Sequence, residues 1–363
     1  MNRIMDIFDY GRQVYRLLHS IPEGSGQEYK TSQTISKLVE AIGGYTLVHN
    51  GKEGLVYSNC HPQTYIFDLA FRAEMDAIIL PNNDAFHGCG HDLHMTSLIQ
   101  LMAFLKIFPS SRKILFVFQS SEEAGNGAKN MVNTLNHKGV RVNKIIGLHN
   151  APDILVEDLA IKKNETLSNN FTNRLTIQFY EEERYDYHMP KNPLSNWSEI
   201  YSKITTLYNH LSGVLFRIGE FRSNGQTGIQ ADELSFSLSI RSNELPLKSL
   251  YELFDELVVE IQDLNYVKHL FVENINYHWR IYNSPKIYEI IKNNRLFNTL
   301  EIPDSFTSDD FCYYEGIAQE IFYLFLGSFE NAVVSKTHTK IFRPNLDFLN
   351  NSLKLYKFLL EEM

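Results

Sequence analysis

Two short segments carry residue types suited to metal-assisted hydrolysis. His87-Gly88-Cys89-Gly90-His91-Asp92 sets a thiol and an imidazole two residues apart on a glycine-flexed turn. Ser120-Ser121-Glu122-Glu123-Ala124-Gly125 sets adjacent carboxylates after an apolar run that reads as a strand. Thiolate, imidazole and carboxylate together suit a borderline-soft divalent cation. A carboxylate left over beside such a cation is a candidate general base for a water.

Taken singly, each residue has a plainer explanation. Cys89 alone reads as a small buried hydrophobe. Gly88 and Gly90 change that, because they free the backbone to aim Cys89 and His91 into one space. Glu122 and Glu123 point opposite ways on an extended chain and face one cleft only in a turn. By themselves they read as an acidic loop favoured by the helix dipole that follows. His149 ends the strand-like Lys144-Ile145-Ile146-Gly147-Leu148, where a lone histidine is usually structural. His338, in Lys336-Thr337-His338-Thr339-Lys340, reads as a loop histidine from spacing alone. His94 reads as a packed histidine on a surface helix or as a group that orients a ligand.

The elements that must position these residues follow from periodicity. Helical spacing runs over 4–18 and 28–42, with a break at Ser20-Ile21-Pro22-Glu23-Gly24. Strand-like runs at 65–71, 113–118 and 144–148 alternate with helices predicted at 95–108 and 124–135. The run at 113–118 is continuously apolar, as in a strand buried in a parallel sheet. Such alternation predicts an α/β layered domain with ligands at strand ends. After about 170 the pattern changes to strand, helix, two strands, helix, strand (174–179, 194–211, 213–221, 234–241, 247–264, 269–277), the order of a ferredoxin-like α+β unit. Alternation returns after Asn283-Ser284-Pro285, and 346–361 is an amphipathic helix. The expected fold is an α/β catalytic domain with a mostly parallel central sheet, formed by 1–171 and 281–363. An inserted ferredoxin-like lid domain, of the dimerisation type, is expected at 172–280.

Composition sets outer limits. The chain has 363 residues, 44% hydrophobic and 21% charged, ordinary for about two globular domains. A formal net charge of −9 argues against a nucleic-acid partner. Three cysteines are too few and odd for a disulfide framework and point to a reducing compartment. The first residues lack the apolar core of a signal peptide, and Ile321–Leu326 is far too short to cross a bilayer. The expectation is a cytoplasmic protein that does not engage a membrane.

Arg72-Ala73-Glu74-Met75-Asp76-Ala77, His87 to Thr96, Phe118 to Glu123 and Gly147-Leu148-His149 stand in an order that resembles the dinuclear metallopeptidase family of the aminoacylases and glutamate carboxypeptidases. Within it the chain is most similar to the amidohydrolase branch, which holds the N-acyl-amino-acid and hippurate hydrolases. The likeness covers about 60–150 and 283–363, where Ser308-Asp309-Asp310-Phe311 and Thr337-His338 resemble further family segments. The resemblance implies that Cys89, His91, Glu123, His149 and His338 hold two divalent ions (manganese, zinc, cobalt or nickel), with Cys89 as the bridge. It implies that Glu122 is the general base for a water held between the ions, and that Asp76 and Asp92 orient ligands. The implied substrate is a small N-acyl amino acid or short peptide, and the implied assembly is a homodimer formed through the lid.

Two segments depart from the family pattern. Glu183 to Pro190 replaces the lid's histidine segment, leaving His188 as the residue that would help bind the substrate carbonyl. Gly228-Ile229-Gln230-Ala231-Asp232 lacks the family's Asn and Pro. The alternatives to an amidohydrolase are a dipeptidase or carboxypeptidase of the same family, a non-catalytic metal-dependent binding protein, and a thiol enzyme using Cys89 as nucleophile.

Overall fold

The computed structural model describes residues 2–61, 65–80, 82–180, 193–208, 210–227, 231–303, 305–329 and 336–363, with backbone alone for 2–6 and 193–195. It opens with α1 (Asn2–His19), α2 (Tyr29–Ile42), β1 (Thr46–Gly51), β2 (Gly54–Ser58), β3 (Ile66–Glu74) and a small hairpin of β4 (Ile78–Ile79) and β5 (Ala85–Phe86). Next come α3 (His91–Ile107), β6 (Ile114–Gln119), α4 (Gly127–His137), β7 (Arg141–Leu155), β8 (Asp158–Ile161) and β9 (Asn164–Thr166). The middle third contains β10 (Asn169–Phe179), α5 (Pro193–Tyr208), β11 (Val214–Ser223), β12 (Glu233–Ser242), α6 (Leu247–Gln262) and β13 (Val267–His278). The chain closes with β14 (Ile281–Asn283), α7 (Pro285–Lys292), β15 (Asn298–Glu301), a 3-10 turn at Asp310–Gly316, β16 (Ala318–Phe329) and α8 (Phe348–Glu362).

These elements form two compact units. One comprises Met1–Thr166, Ile281–Pro303 and Asp309–Met363; the other comprises Leu167–Arg280 and Asp304–Ser308. In the first, the described residues form an eight-stranded sheet ordered β1-β2-β6-β3-β7-β16-β8-β15. The stretch β6-β3-β7-β16 is parallel throughout. Every residue of β6, Ile-Leu-Phe-Val-Phe-Gln, is buried, as expected for a strand covered on both faces. Phe71, Phe116, Leu98, Leu101, Leu353 and Tyr356 pack into one apolar core, with the Phe71 and Tyr356 rings 4.7 Å apart. The second unit has a four-stranded antiparallel sheet, β11-β12-β10-β13, the strand order of a ferredoxin-like unit. On β12 the side chains Leu234, Phe236, Leu238 and Ile240 are buried in strict alternation and join Ile200, Ile204, Leu250 and Leu257 of the helices.

Two elements differ in extent from the sequence expectation. Helix α3 begins at His91 instead of near 95, because His91, Asp92, Leu93, His94, Met95 and Thr96 are all buried and leave no amphipathic stripe to mark its start. Strand β7 runs well past 148 to Leu155, since β16 pairs with it from Val142 to Leu155.

The carboxyl ends of β3 and β6 are tied by a buried polar lattice around Arg72. Its Nε donates to Gln119 Oε1 at 2.9 Å, and its Nη2 donates to Asp310 Oδ1 at 2.7 Å and lies 3.3 Å from Asp309. Its Nη1 pairs with Glu74. Gln119 Nε2 donates to both oxygens of Asp310, and the Ala128 amide at the start of α4 donates to the same carboxylate at 2.7 Å. Burial works against the Arg72 charge, but Asp309 and Asp310 more than restore it. Removing the cation strands several desolvated acids. Arg72→Met should therefore lower the unfolding free energy by about 3–5 kcal/mol. Urea denaturation followed by circular dichroism measures this, and a loss below about 1 kcal/mol would show that the lattice does not hold the strand ends.

Candidate active site

Parallel strands bring their carboxyl ends to one edge, and the chemistry-bearing residues sit just beyond those ends. Asp76 follows β3, Glu122 and Glu123 follow β6, and His149 lies in β7. Cys89 and His91 lie at the start of α3, where Gly90 adopts φ +93°. A Cβ at Gly90 would stand 2.2 Å from Asn150 Nδ2, so the turn needs glycine on both counts. Glu122 to Gly125 form a tight turn, the Gly125 amide donating to the Glu122 carbonyl at 2.6 Å. Gly127 then starts α4 so close that a Cβ there would lie 1.9 Å from the Ser120 carbonyl oxygen. His338 arrives from the far end of the chain, its amide bonded to the Gly88 carbonyl at 2.7 Å.

The Cys89 thiol is the meeting point. His149 Nε2 lies 3.4 Å from Sγ and His338 Nε2 lies 3.3 Å from it. Potential ligand atoms of Cys89, His91 and His149 fall within 4.8 Å of one another, as do those of Cys89, Glu123 and His338, and of His91, Glu122 and Glu123. The thiol belongs to two of these sets, as a bridging ligand would. His91 Nδ1 donates to the Asp76 carbonyl at 2.8 Å, and His149 Nδ1 donates to the Asn150 carbonyl at 2.7 Å. Each bond orients its ring so that Nε2 points inward. Burial works against a charge on His91, but Cys89 and Asp76 hold it well above the usual imidazole range, so a cation would take the place of its Nε2 proton. His91 Nε2 is buried with no hydrogen-bond partner among the described residues, and carboxylate oxygens of Glu122 and Glu123 lie 3.7 and 3.9 Å away. A buried imidazole nitrogen pointing into a cluster of thiol and carboxylates is what a cation would satisfy, so the donor set fits divalent ions.

The charges are arranged accordingly. Burial disfavours the Cys89 thiolate, but His91 and His149 outweigh it and hold the thiol down at about 6. Hydrogen bonds to Cys89 and Glu123 push His338 up to about 10. Burial lifts Glu122 well above the usual carboxylate range, and Asp309, Glu123 and Asp310 add to it. Glu123 goes the other way: despite burial, His338 and His91 keep it ionised. Neighbouring acids pushed apart in this manner suit one to a ligand's role and the other to proton transfer.

Among the other residues singled out from sequence, Asp76 stands against the cluster. Its Oδ1 is 3.2 Å from His91 Nδ1, and its Oδ2 accepts the Glu123 amide at 2.9 Å. Asp92 is instead bonded to His19 Nδ1 at 2.6 Å and caps its own Leu93 amide. His188, Asp186 and Gly228 lie outside the described residues. His94 is neither on the surface nor free to ligate: Nδ1 donates to Glu74 at 2.6 Å and Nε2 accepts the Asn150 amide at 2.9 Å. Sequence reasoning did not assign chemistry to Arg72, Glu74, Gln119 or Asn150. Polar residues inside or ending otherwise apolar strands were the available signal.

Residues 70–362 match peptidase family M20/M25/M40. The N-acetyldiaminopimelate deacetylase of Bacillus subtilis (strain 168) is 24% identical over 324 residues, which is 83% of this chain and 85% of that protein. The N-acetyldiaminopimelate deacetylase of Listeria monocytogenes serovar 1/2a is 30% identical over 181 residues, 46% of this chain and 47% of that protein. A solved dinuclear metal binding peptidase of the M20 family from Bacillus subtilis has the same fold, with a TM-score of 0.76 at 19% identity, covering 99% of this chain and 100% of that one. No described helix is long and apolar enough to cross a membrane. The match over most of the length shows that the chain belongs to peptidase family M20/M25/M40 and is a hydrolytic enzyme.

Proposed function

We propose that the protein is a two-metal amidohydrolase that frees an amino acid from a small N-acyl conjugate. The observation that carries this is the Cys89 thiol set between His149 Nε2 and His338 Nε2, at 3.4 and 3.3 Å. Cys89, His91, Glu123, His149 and His338 would hold the ions, and a mixed sulfur, nitrogen and oxygen set accepts manganese, zinc, cobalt or nickel. Bound there, divalent ions would polarise the amide carbonyl and make water acidic enough to attack near neutral pH.

Glu122 is the residue left for proton transfer. Its raised affinity for a proton matches a group that must take one from the attacking water and give it back. Oxygen bonds to the carbonyl carbon, the carbon–nitrogen bond breaks, and the Glu122 proton goes to the departing amine. Asp76 holds both His91 and the Glu123 backbone, keeping ligand and base in register. N-acetyldiaminopimelate, named for the relatives, is the first substrate to assay, followed by other N-acetyl and N-benzoyl amino acids.

Glu122→Gln should retain the ion content of the wild type by elemental analysis yet lose kcat by on the order of 10²–10⁴-fold. Unchanged turnover would remove Glu122 from the reaction. Cleavage of dipeptides with a free amino terminus, in place of acyl compounds, would make the enzyme a peptidase instead. The thiol gives an independent check. In metal-free protein, alkylation of Cys89 by iodoacetamide should follow ionisation near pH 6, rising below neutrality and then levelling off. Added manganese or zinc should suppress that labelling, read by peptide mass spectrometry. A thiol alkylated equally fast with metal present would be no ligand.

A further inference from the structure

The connection between α1 and α2 lies N-terminal to the residues that match the family, yet it touches both loops of the site. Gly24 forms a parallel bridge with Ala77, and the Ala77 amide donates to the Glu23 carbonyl at 2.7 Å. The Ser25 hydroxyl donates to Asp76 Oδ2 at 2.6 Å. That same oxygen receives the Glu123 amide at 2.9 Å. Glu28, only 5% exposed, accepts the Ser121 amide on Oε1 at 2.8 Å. Ser121 is held at φ +61°, a conformation uncommon for residues other than glycine, and it immediately precedes Glu122. The connection is itself anchored, since the Glu23 carboxylate accepts the Thr31 amide and hydroxyl, both at 2.9 Å, at the start of α2.

We propose that residues 22–28 act as a strap that sets the position of the catalytic turn, with Glu28 and Ser25 as positioning residues. Glu28 fixes the backbone ahead of the base, and Ser25, through Asp76, fixes the backbone behind it. Glu122 is thereby gripped on both sides by a segment that supplies no ligand. The turn closes on itself through the Gly125 amide on the Glu122 carbonyl and the Gly127 amide on the Ser121 carbonyl. The strap adds the bond to the Ser121 amide and, through Asp76, the bond to the Glu123 amide, on either side of Glu122. The proposal rests on Glu122 being the base, as argued above. A displacement of about 1 Å in such a group costs on the order of 10²-fold in rate.

Hydrogen–deuterium exchange and kinetics together test it. In Glu28→Ala, exchange of the segment 120–126 should speed up by at least about tenfold, while the β10 and β12 strands of the other unit keep their protection. Its kcat on an N-acetyl amino acid should fall about 10–100-fold, with KM within about threefold and ion content unchanged. Glu28→Gln, whose amide oxygen still accepts the Ser121 N–H, should return both readouts to near wild type. Ser25→Ala should loosen the same segment by way of the Glu123 amide, and it carries the test should Glu28→Ala fail to fold. Unaltered exchange across 120–126, or faster exchange with full kcat, would overturn the strap. If the wild type hydrolyses no acyl compound, the proposed reaction fails and the exchange measurement alone decides the strap.

Discussion

A buried guanidinium makes this arrangement of acids possible. Strand ends in parallel register converge, and here they converge with Glu74, Asp309 and Asp310 already desolvated beneath the cleft. Carboxylates crowded in a medium of low dielectric must be neutralised or paired. Arg72, with its side chain wholly out of solvent, answers Glu74, Asp309 and Asp310 from one strand and ties Gln119 of the next to them. Glu122 has a carboxylate oxygen within 4.8 Å of carboxylate oxygens of Asp309 and Asp310. Its high proton affinity is the residue of this compensation: the cation is committed below, while Asp309 and Asp310 add their charge to the penalty of burial.

The imidazoles show how backbone geometry sorts chemically identical side chains. His91, His94 and His149 crowd together, with ring centroids 4.7 to 6.2 Å apart. In His91 and His149 the Nδ1–H donates to a main-chain carbonyl, which turns Nε2 toward the thiol and carboxylates. In His94 Glu74 takes the Nδ1 proton and the Asn150 amide occupies Nε2. Two of the rings can therefore serve a cation, and the third is part of the wall. The assignment depends on which carbonyl lies beside each ring, and so on the path of β3 and β7.

Sequence patterning served best where burial is one-sided or complete over a short run. Strand β6 announces itself by unbroken apolar residues, and α8 by its stripe of Leu349, Leu353, Tyr356 and Leu360. The His-Gly-Cys-Gly-His and Glu-Glu segments were legible because glycine and paired charge are rare company for those residues in a plain core. It served poorly at α3, whose first turn is buried all round and has no polar face to set the phase. His338 was readable only through the family likeness, since a loop histidine has no periodicity and its partners lie some 250 positions earlier. Glu28 gave no signal at all: a glutamate opening a helix is commonplace until its carboxylate is seen on the Ser121 amide.

The order of residues along the chain thus determined the kind of chemistry and the layers that support it. Residue type fixes which ligands are on offer, and hydrophobic period fixes which faces must be covered. Tertiary structure decided which nitrogen of His91 and of His149 faces the thiol and carboxylates, which of two adjacent glutamates ionises readily, and what borders their turn. Those outcomes depend on distances of a few ångströms between segments far apart in sequence, and on the dielectric surroundings those distances create. Local propensity contains neither quantity.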